Sequence, residues 1–345
     1  MPFLTAFKKQ ICFVLLILAI TSCQNDKVDI PEEFKIIEPI EFAYDRFDLK
    51  VKNYIDELSP REVIDTVSKV YPRFGNDYLS EILGLTSPFY SYEQNMGNQV
   101  AFFADQSNHL LFDTVAIIMG DLSPEITAFK KHFAYYESKF PKQKSPYLIF
   151  MNSGFSYQTT TYGNSDTILI GTDLFLGADF IYPPSIPNFV KHCYQREYMV
   201  PRVIQTLVRD QMKEVRPSKF IDIIIQNGIE SYISSKLLPT TPPYLLTKYT
   251  EETYNWAVNN EGNIWQAFQR EKYLFSSEYD KFKKHVEPSP NSPGMPPEAP
   301  GELGNFIGWQ IVKKYMEENP TITLQQLSTT SDFYSILEKS RYKPE

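Results

Sequence analysis

Only one interval of this chain carries strand-like sequence, and that interval most constrains what the chain can fold into. Between residues 145 and 177 lie "SPYLIFMNS", "YQTTTYGN" and "DTILIGTDLFLG", each rich in β-branched and aromatic residues. Gly163-Asn164-Ser165-Asp166 separates the last two with turn-forming residues, so the interval reads as a small sheet with at least one hairpin. Helical patterns flank it. "SPREVIDTVSKVYP" offers Ser59 as an N-cap, Pro60 at the first helical position and Glu62 three residues after the cap. "SPEITAFKKHFAYYESKFP" starts with the same Ser-Pro pair and spaces its aromatics helically. Further helices are expected within residues 187–238, in "YTEETYNWAVNNEGNIWQAFQREKY" and in "GNFIGWQIVKKYMEENP". Residues 287–302, "EPSPNSPGMPPEAPGE", hold six prolines and no apolar period, and form a long loop, either a lid over a groove or a mobile segment. The expectation is a single α+β domain over residues 38–345, a mainly helical body with a small β-sheet.

The N-terminus reads as a targeting signal. Lys8 and Lys9 precede an unbroken apolar run, Ile11 to Ile20, too short to span a bilayer as a helix but suited to a secretory signal. Ile20-Thr21-Ser22 then leads directly into Cys23, the pattern of a bacterial lipoprotein signal cleaved before an acylated cysteine. An ordinary signal peptide or a short anchor with an incidental cysteine is the alternative. The agreement of basic region, short apolar run and small-residue cysteine site favours the lipoprotein. The expectation is therefore a signal over residues 1–22, a covalent lipid on Cys23 that keeps the chain on a membrane, and a flexible tether over 23–37.

Removing the signal takes Lys8 and Lys9 from the 34 basic residues and leaves 42 acidic ones, a net charge near −10. Such a balance argues against nucleic acid or anionic headgroups as the main partner. With Cys12 removed and Cys23 lipidated, Cys193 is the single free thiol, so no internal disulfide is expected and a hydrophobic core must hold the fold.

"VIQTLVRDQMKE" carries the sharpest functional question. Val200, Val203, Ile204, Leu207, Val208 and Met212 make one apolar helical stripe, and Arg209 and Lys213, four apart, are expected to project together from another face. The segment is similar to the active-site helix of zinc peptidases, where an i, i+4 pair of histidines binds the metal and a glutamate after the first acts as base. Arg209 stands at the first ligand position, Asp210 at the base position and Lys213 at the second ligand position. A protonated guanidinium or ammonium has no lone pair for zinc. Spacing alone is equally met by an ordinary amphipathic helix with a basic face. The next helix, "FIDIIIQNGIESYISSKLLP", resembles the one that supplies the third ligand in gluzincins, with Asn227 at that position and Glu230 three residues on.

"YPRFGNDYLSEILGL", "ILIGTDLFLGADFIYP", "RVIQTLVRDQM" and "IQNGIESYI" together resemble the gliding-motility lipoproteins called GldB, from bacteria of the Bacteroidetes type, over roughly residues 30–340. The resemblance implies a cell-envelope lipoprotein required for surface gliding, linked to the type IX secretion machinery. It also implies a gluzincin-like architecture that has lost its metal ligands, with no catalytic residues, metal or other cofactor. Membrane lipid through Cys23, envelope proteins of the gliding machinery and a body facing the periplasm are implied with it; nucleic acid is not.

Other chemistry is weaker. His109, His132, His192 and His285 lack ligand-like spacing, and the neighbours His192 and Cys193 are expected to diverge on a helix rather than form a dyad. Asp173 and Asp179 could serve as acid and base of a glycosidase, though turn and surface roles are the simpler reading. Phe74-Gly75-Asn76-Asp77-Tyr78 reads as a turn with flanking aromatics and a candidate partner-binding loop. Three functions follow in order: a non-catalytic interaction protein of the gliding or secretion apparatus, with Arg209, Asp210, Lys213 and Glu230 as an internal charge cluster; an envelope hydrolase of peptide or glycan with a non-zincin centre; and a structural envelope lipoprotein unrelated to movement.

Overall fold

A computed structural model describes residues 30–164 and 166–345; the signal segment and Cys23 lie outside the described residues. Strands β1 (Tyr44–Arg46), β2 (Tyr147–Met151), β3 (Thr159–Tyr162) and β4 (Thr167–Gly171) form one mixed sheet in the order β1-β2-β4-β3. β3 and β4 are the expected hairpin, running antiparallel from Thr159 opposite Ile170 to Tyr162 opposite Thr167. β2 pairs in parallel with both β4 and β1, and β1 is a three-residue strand with no period of its own in the sequence.

The central strands are apolar on both faces because both faces are covered. Ile149, Met151 and Leu169 pack under one helical layer: α1 (Phe47–Glu57), α2 (Pro60–Val70), α3 (Tyr92–Ala104) and α4 (Gln106–Met119). Leu148, Phe150, Ile168 and Ile170 point the other way, into a larger core. That core is built by α5 (Ser123–Lys139), α6 (Met199–Gln211), α7 (Phe220–Leu237), α8 (Glu251–Asn259), α9 (Glu261–Arg270), α10 (Leu303–Glu318) and α11 (Phe333–Ser340). The fold is thus α+β with a helical majority around a small sheet. The expected cap of α2 is present: the Glu62 carboxylate accepts the Ser59 N–H at 2.9 Å, closing a capping box. Among the described residues no helix is long and apolar enough to cross a membrane.

The tightest helix crossing joins α7 to α10 through two glycines. A Cβ on Gly228 would lie 2.2 Å from the Gly308 carbonyl oxygen, and one on Gly308 only 1.7 Å from the Ile224 carbonyl oxygen. The backbones touch, and only glycine permits that approach.

Three expectations need correction or completion. The tether does not extend to residue 37. Glu32–Ile36 is a short helix whose Phe34 is buried between the rings of His132 and Tyr135, at 5.1 and 5.2 Å, while Glu33 pairs with Lys139. One aromatic side chain with a place to bury outweighs the polar composition around it. The Phe74–Tyr78 stretch is not an exposed loop. Phe74–Asp77 is helical and continues as a π-turn over Tyr78–Ile82; Phe74, Gly75 and Tyr78 are buried, and the Tyr78 hydroxyl donates to the Asn152 carbonyl at 2.9 Å. Asn76 Nδ2 donates to the Pro72 carbonyl in the turn just before the helix, and Asp77 accepts from Tyr162 Oη at 2.6 Å. The stretch therefore packs α2 against the sheet. Residues 287–302 contain neither helix nor strand, yet Ser292, Ala299, Pro300 and Gly301 are buried, so the proline segment lies down on the body.

Candidate functional site

The two helices singled out in the sequence, α6 and α7, lie side by side on the hairpin side of the sheet. α6 buries Val203, Ile204, Leu207 and Val208 of the expected stripe, while Val200 is half-buried and Met212 lies half-buried beyond the helix end; it also buries Arg202, Gln205 and Thr206. Thr206 Oγ1 lies 2.7 Å from Thr159 Oγ1, tying α6 to β3. The Arg202 guanidinium sits 5.3 Å over the Tyr198 ring and donates one N–H to Gln205, whose own amide donates to the Leu246 carbonyl at 2.9 Å. Nothing in the local pattern distinguishes these buried polar residues from solvent-facing ones; the neighbouring short helix Pro243–Thr247 and strand β3 enclose them.

At the C-terminal end of α6, Arg209 makes a bidentate pair with Glu230 of α7, both N···O distances being 2.8 Å. The pairing holds the guanidinium pKa above its ordinary value. Lys213 departs from expectation. α6 ends at Gln211, Met212 is extended with ψ 146°, and the Lys213 Nζ donates to Ser331 Oγ at 3.0 Å. Lys213 therefore shares no helical face with Arg209, and the expected four-residue charge cluster reduces to the Arg209–Glu230 pair. Asp210 accepts from its neighbour Gln211 at 3.3 Å. Asn227 donates to Asn305 Oδ1 at 2.8 Å, and Asn305 in turn donates to the Val286 carbonyl at 3.0 Å.

Arg209, Asp210, Lys213, Asn227 and Glu230 nonetheless line one cavity of 570 Å³, whose opposite wall is Thr159, Thr160 and Thr161 of β3. Arg209, Asn227 and Glu230 also line a second cavity of 270 Å³, which adds Gln205, Lys248, Tyr249 and Glu302. A third, of 460 Å³, shares Lys248, Tyr249, Pro288 and Glu302 with the second and is closed by the 188–194 turn and the proline segment. The three cavities, together termed the groove, adjoin through shared wall residues and lie in series from the edge strand to the proline segment. Glu302 was not anticipated from sequence. It is 9% exposed, has φ 57°, and burial pushes its carboxyl pKa up, with Lys248 and Arg202 pulling the other way.

The residues at the positions expected to correspond to a zinc site do not fit the metal. Arg209 and Lys213 offer only donors, Glu230 is held by Arg209, and Asn227 is bonded to Asn305. Among the described residues no three of His, Cys, Asp and Glu cluster as a ligand set.

The remaining candidates fall outside this groove or lack the geometry for chemistry. His192 and Cys193 do not diverge: they lie on a 3₁₀ turn, with Cys193 Sγ 3.3 Å from His192 Nε2. That same nitrogen is 2.8 Å from the Lys248 carbonyl, an acceptor that requires Nε2–H, so it has no lone pair with which to take the thiol proton. Asp173 is fully buried, accepts from the Ser153 and Phe155 backbone N–H groups and from Ser153 Oγ, and has its pKa pushed up to about 6 by burial. Asp179 is exposed, so the two acids do not face a common substrate site. His109 and His132 bond backbone carbonyls. His285 sits among the rings of Phe220, Phe268 and Tyr273, where burial lowers its pKa to about 4.

No curated protein and no solved structure matches this chain. The family model described as gliding motility protein GldB matches residues 28–344, nearly the whole chain, and the protein belongs to that family of motility-related lipoproteins.

Proposed function

We propose that this protein is a non-catalytic component of the gliding and type IX secretion apparatus, held on an envelope membrane by the lipid on Cys23 with its body in the periplasm. In this reading the α6–α7 groove is a gluzincin-like scaffold that has lost its metal chemistry and now holds a partner. One observation carries it: Arg209 and Asn227 stand at two positions similar to metal ligands, each committed to another protein group, Glu230 and Asn305. A salt bridge that fills such a position occupies it without any activated water or nucleophile. The decisive experiment is elemental analysis of the purified body from residue 24 onward, together with its thermal shift on adding zinc. Absence of both metal and shift is expected; one tightly bound metal per chain would overturn the reading.

The hydrolase reading has one observation in its favour. Glu302, with its raised pKa, shares a cavity with Glu230 and Glu287, as a general acid beside a carboxylate would. Against it, both oxygens of Glu230 are engaged by Arg209. Release of products from envelope peptides or glycans by the wild type, abolished by Glu302→Gln, would establish that reading.

A further inference from the structure

We infer that the groove takes an extended, positively charged segment of a partner protein, added as a strand along β3 and anchored by a basic side chain at Glu302. The inference rests on the non-catalytic reading above and names the chemistry of the partner.

The strand edge supplies the first argument. β3 is the outermost strand of the sheet, with no proline, lysine or bulge to protect it. Gly171 N donates to Gln158 O at 3.1 Å, which sets the alternation of the hairpin: residues 158, 160 and 162 bond towards β4, while Thr159 and Thr161 turn their N–H and C=O groups away from it. Among the described residues no other backbone group pairs with those outward groups; the Thr161 carbonyl accepts only from the Thr160 hydroxyl, at 3.5 Å. The three threonines line the 570 Å³ cavity, so the free edge opens into the groove. An extended backbone placed there completes the ladder at two residues, the usual geometry of strand addition.

The charge of the groove supplies the second. Its walls carry the carboxylates Asp210, Glu214, Glu230, Glu287, Glu298 and Glu302, against the cations Arg209, Lys213 and Lys248. Arg209 is already spent on Glu230, so the field left in the groove is negative. Glu302 is the third and independent sign. The residue is 9% exposed, borders two adjoining cavities, and its carboxylate accepts no hydrogen bond among the described residues. The carboxylate oxygens stay open to those cavities, and the arrangement persists although Glu302 and the neighbouring Lys248 both hold left-handed φ, 57° and 60°. Hydrogen bonds pin that backbone: Tyr249 Oη donates to the Gly301 carbonyl at 2.9 Å and Glu302 N to the Lys284 carbonyl at 3.2 Å. A lysine or arginine side chain from the partner supplies the missing donors. The residues just after Cys23, Gln24-Asn25-Asp26-Lys27, carry no net positive charge and are not the occupant favoured by this field.

A display library of random dodecapeptides, selected on the body from residue 24 onward at low salt, tests this directly. The expected winners carry Lys or Arg alternating with β-branched residues, bind about tenfold more weakly to Glu302→Gln, and lose binding when their backbone is N-methylated at alternate positions. The N-methyl test leaves the protein untouched, so it does not depend on a variant that folds. Winners that are acidic or helical, equal binding by Glu302→Gln, indifference to N-methylation, no enrichment, or a groove covered by a second copy in solution would each overturn the inference. Cleavage of a bound winner would instead refute the non-catalytic reading while leaving the binding mode standing.

Discussion

Replacing Gly308 by alanine tests the packing that positions the groove. The added Cβ would lie 1.7 Å from the Ile224 carbonyl oxygen and 2.4 Å from its carbonyl carbon. Ordinary contact begins near 3.4 Å, so α7 and α10 would have to part by about 1.7 Å along a crossing that buries Ile224, Ile225, Phe306, Ile307 and Ile311. Overpacking usually costs about 1–3 kcal/mol. Backbone pressed on backbone has no rotamer with which to escape, so about 3–5 kcal/mol is expected. With an unfolding entropy of about 2.1 cal/mol/K per residue over a body of this size, the melting temperature should fall by about 5–8 °C in calorimetry. Gly97→Ala is the matched control. Gly97 lies in α3 with nothing within 4 Å of an added Cβ, so alanine there should raise stability by about 0.5–1 kcal/mol and Tm by about 1 °C. A Gly308→Ala protein melting within about 1 °C of wild type would refute the direct backbone contact and the helix spacing that depends on it.

Three further outcomes follow from particular side chains. His285 has a folded pKa near 4, below its unfolded value of 6.5, so the unfolded chain takes the proton first and stability falls as pH drops from about 6.5 to 4. His285→Phe keeps the aromatic packing and should flatten that acid limb in melts across pH 4–7; an unchanged limb refutes the assignment. Asp173 shifts the opposite way, to about 6 from 3.8, so its protonation favours the folded state and its contribution is lost as pH rises through about 6. The Tm gap between wild type and Asp173→Asn should therefore widen between pH 7 and 5, and a constant gap would contradict it. Arg209→Ala should cost less than about 1 kcal/mol in urea melts, because the Arg209 side chain is 64% exposed, and a larger loss would mean the pair is structural.

What the sequence determined by itself was everything set by local periodicity and local hydrogen bonding. The β3–β4 hairpin follows from alternating β-branched residues around Gly163 and Asn164, and α2 follows from Ser59, Pro60 and Glu62 acting within one turn. The apolar stripe of α6 at Val203, Ile204, Leu207 and Val208 was legible in the same way, whereas the pairing of α6 with α7 was expected only from the resemblance to zinc peptidases. Tertiary structure decided the rest. Phe34 leaves the polar leader because its slot is formed by His132 and Tyr135, residues far along the chain. The Phe74–Tyr78 stretch has the composition of a turn, but its aromatic rings and Gly75 fit between α2 and the sheet, and burial overrode local preference. Lys213 left its helical face when Met212 became extended, and His192 met Cys193 because a 3₁₀ turn, not an α-helix, carries them. Glu302 shows why the groove was hardest to read: its unpaired carboxylate depends on α7, the turn at Lys248 and the proline segment converging, and no periodicity encodes contacts among elements so far apart in the chain.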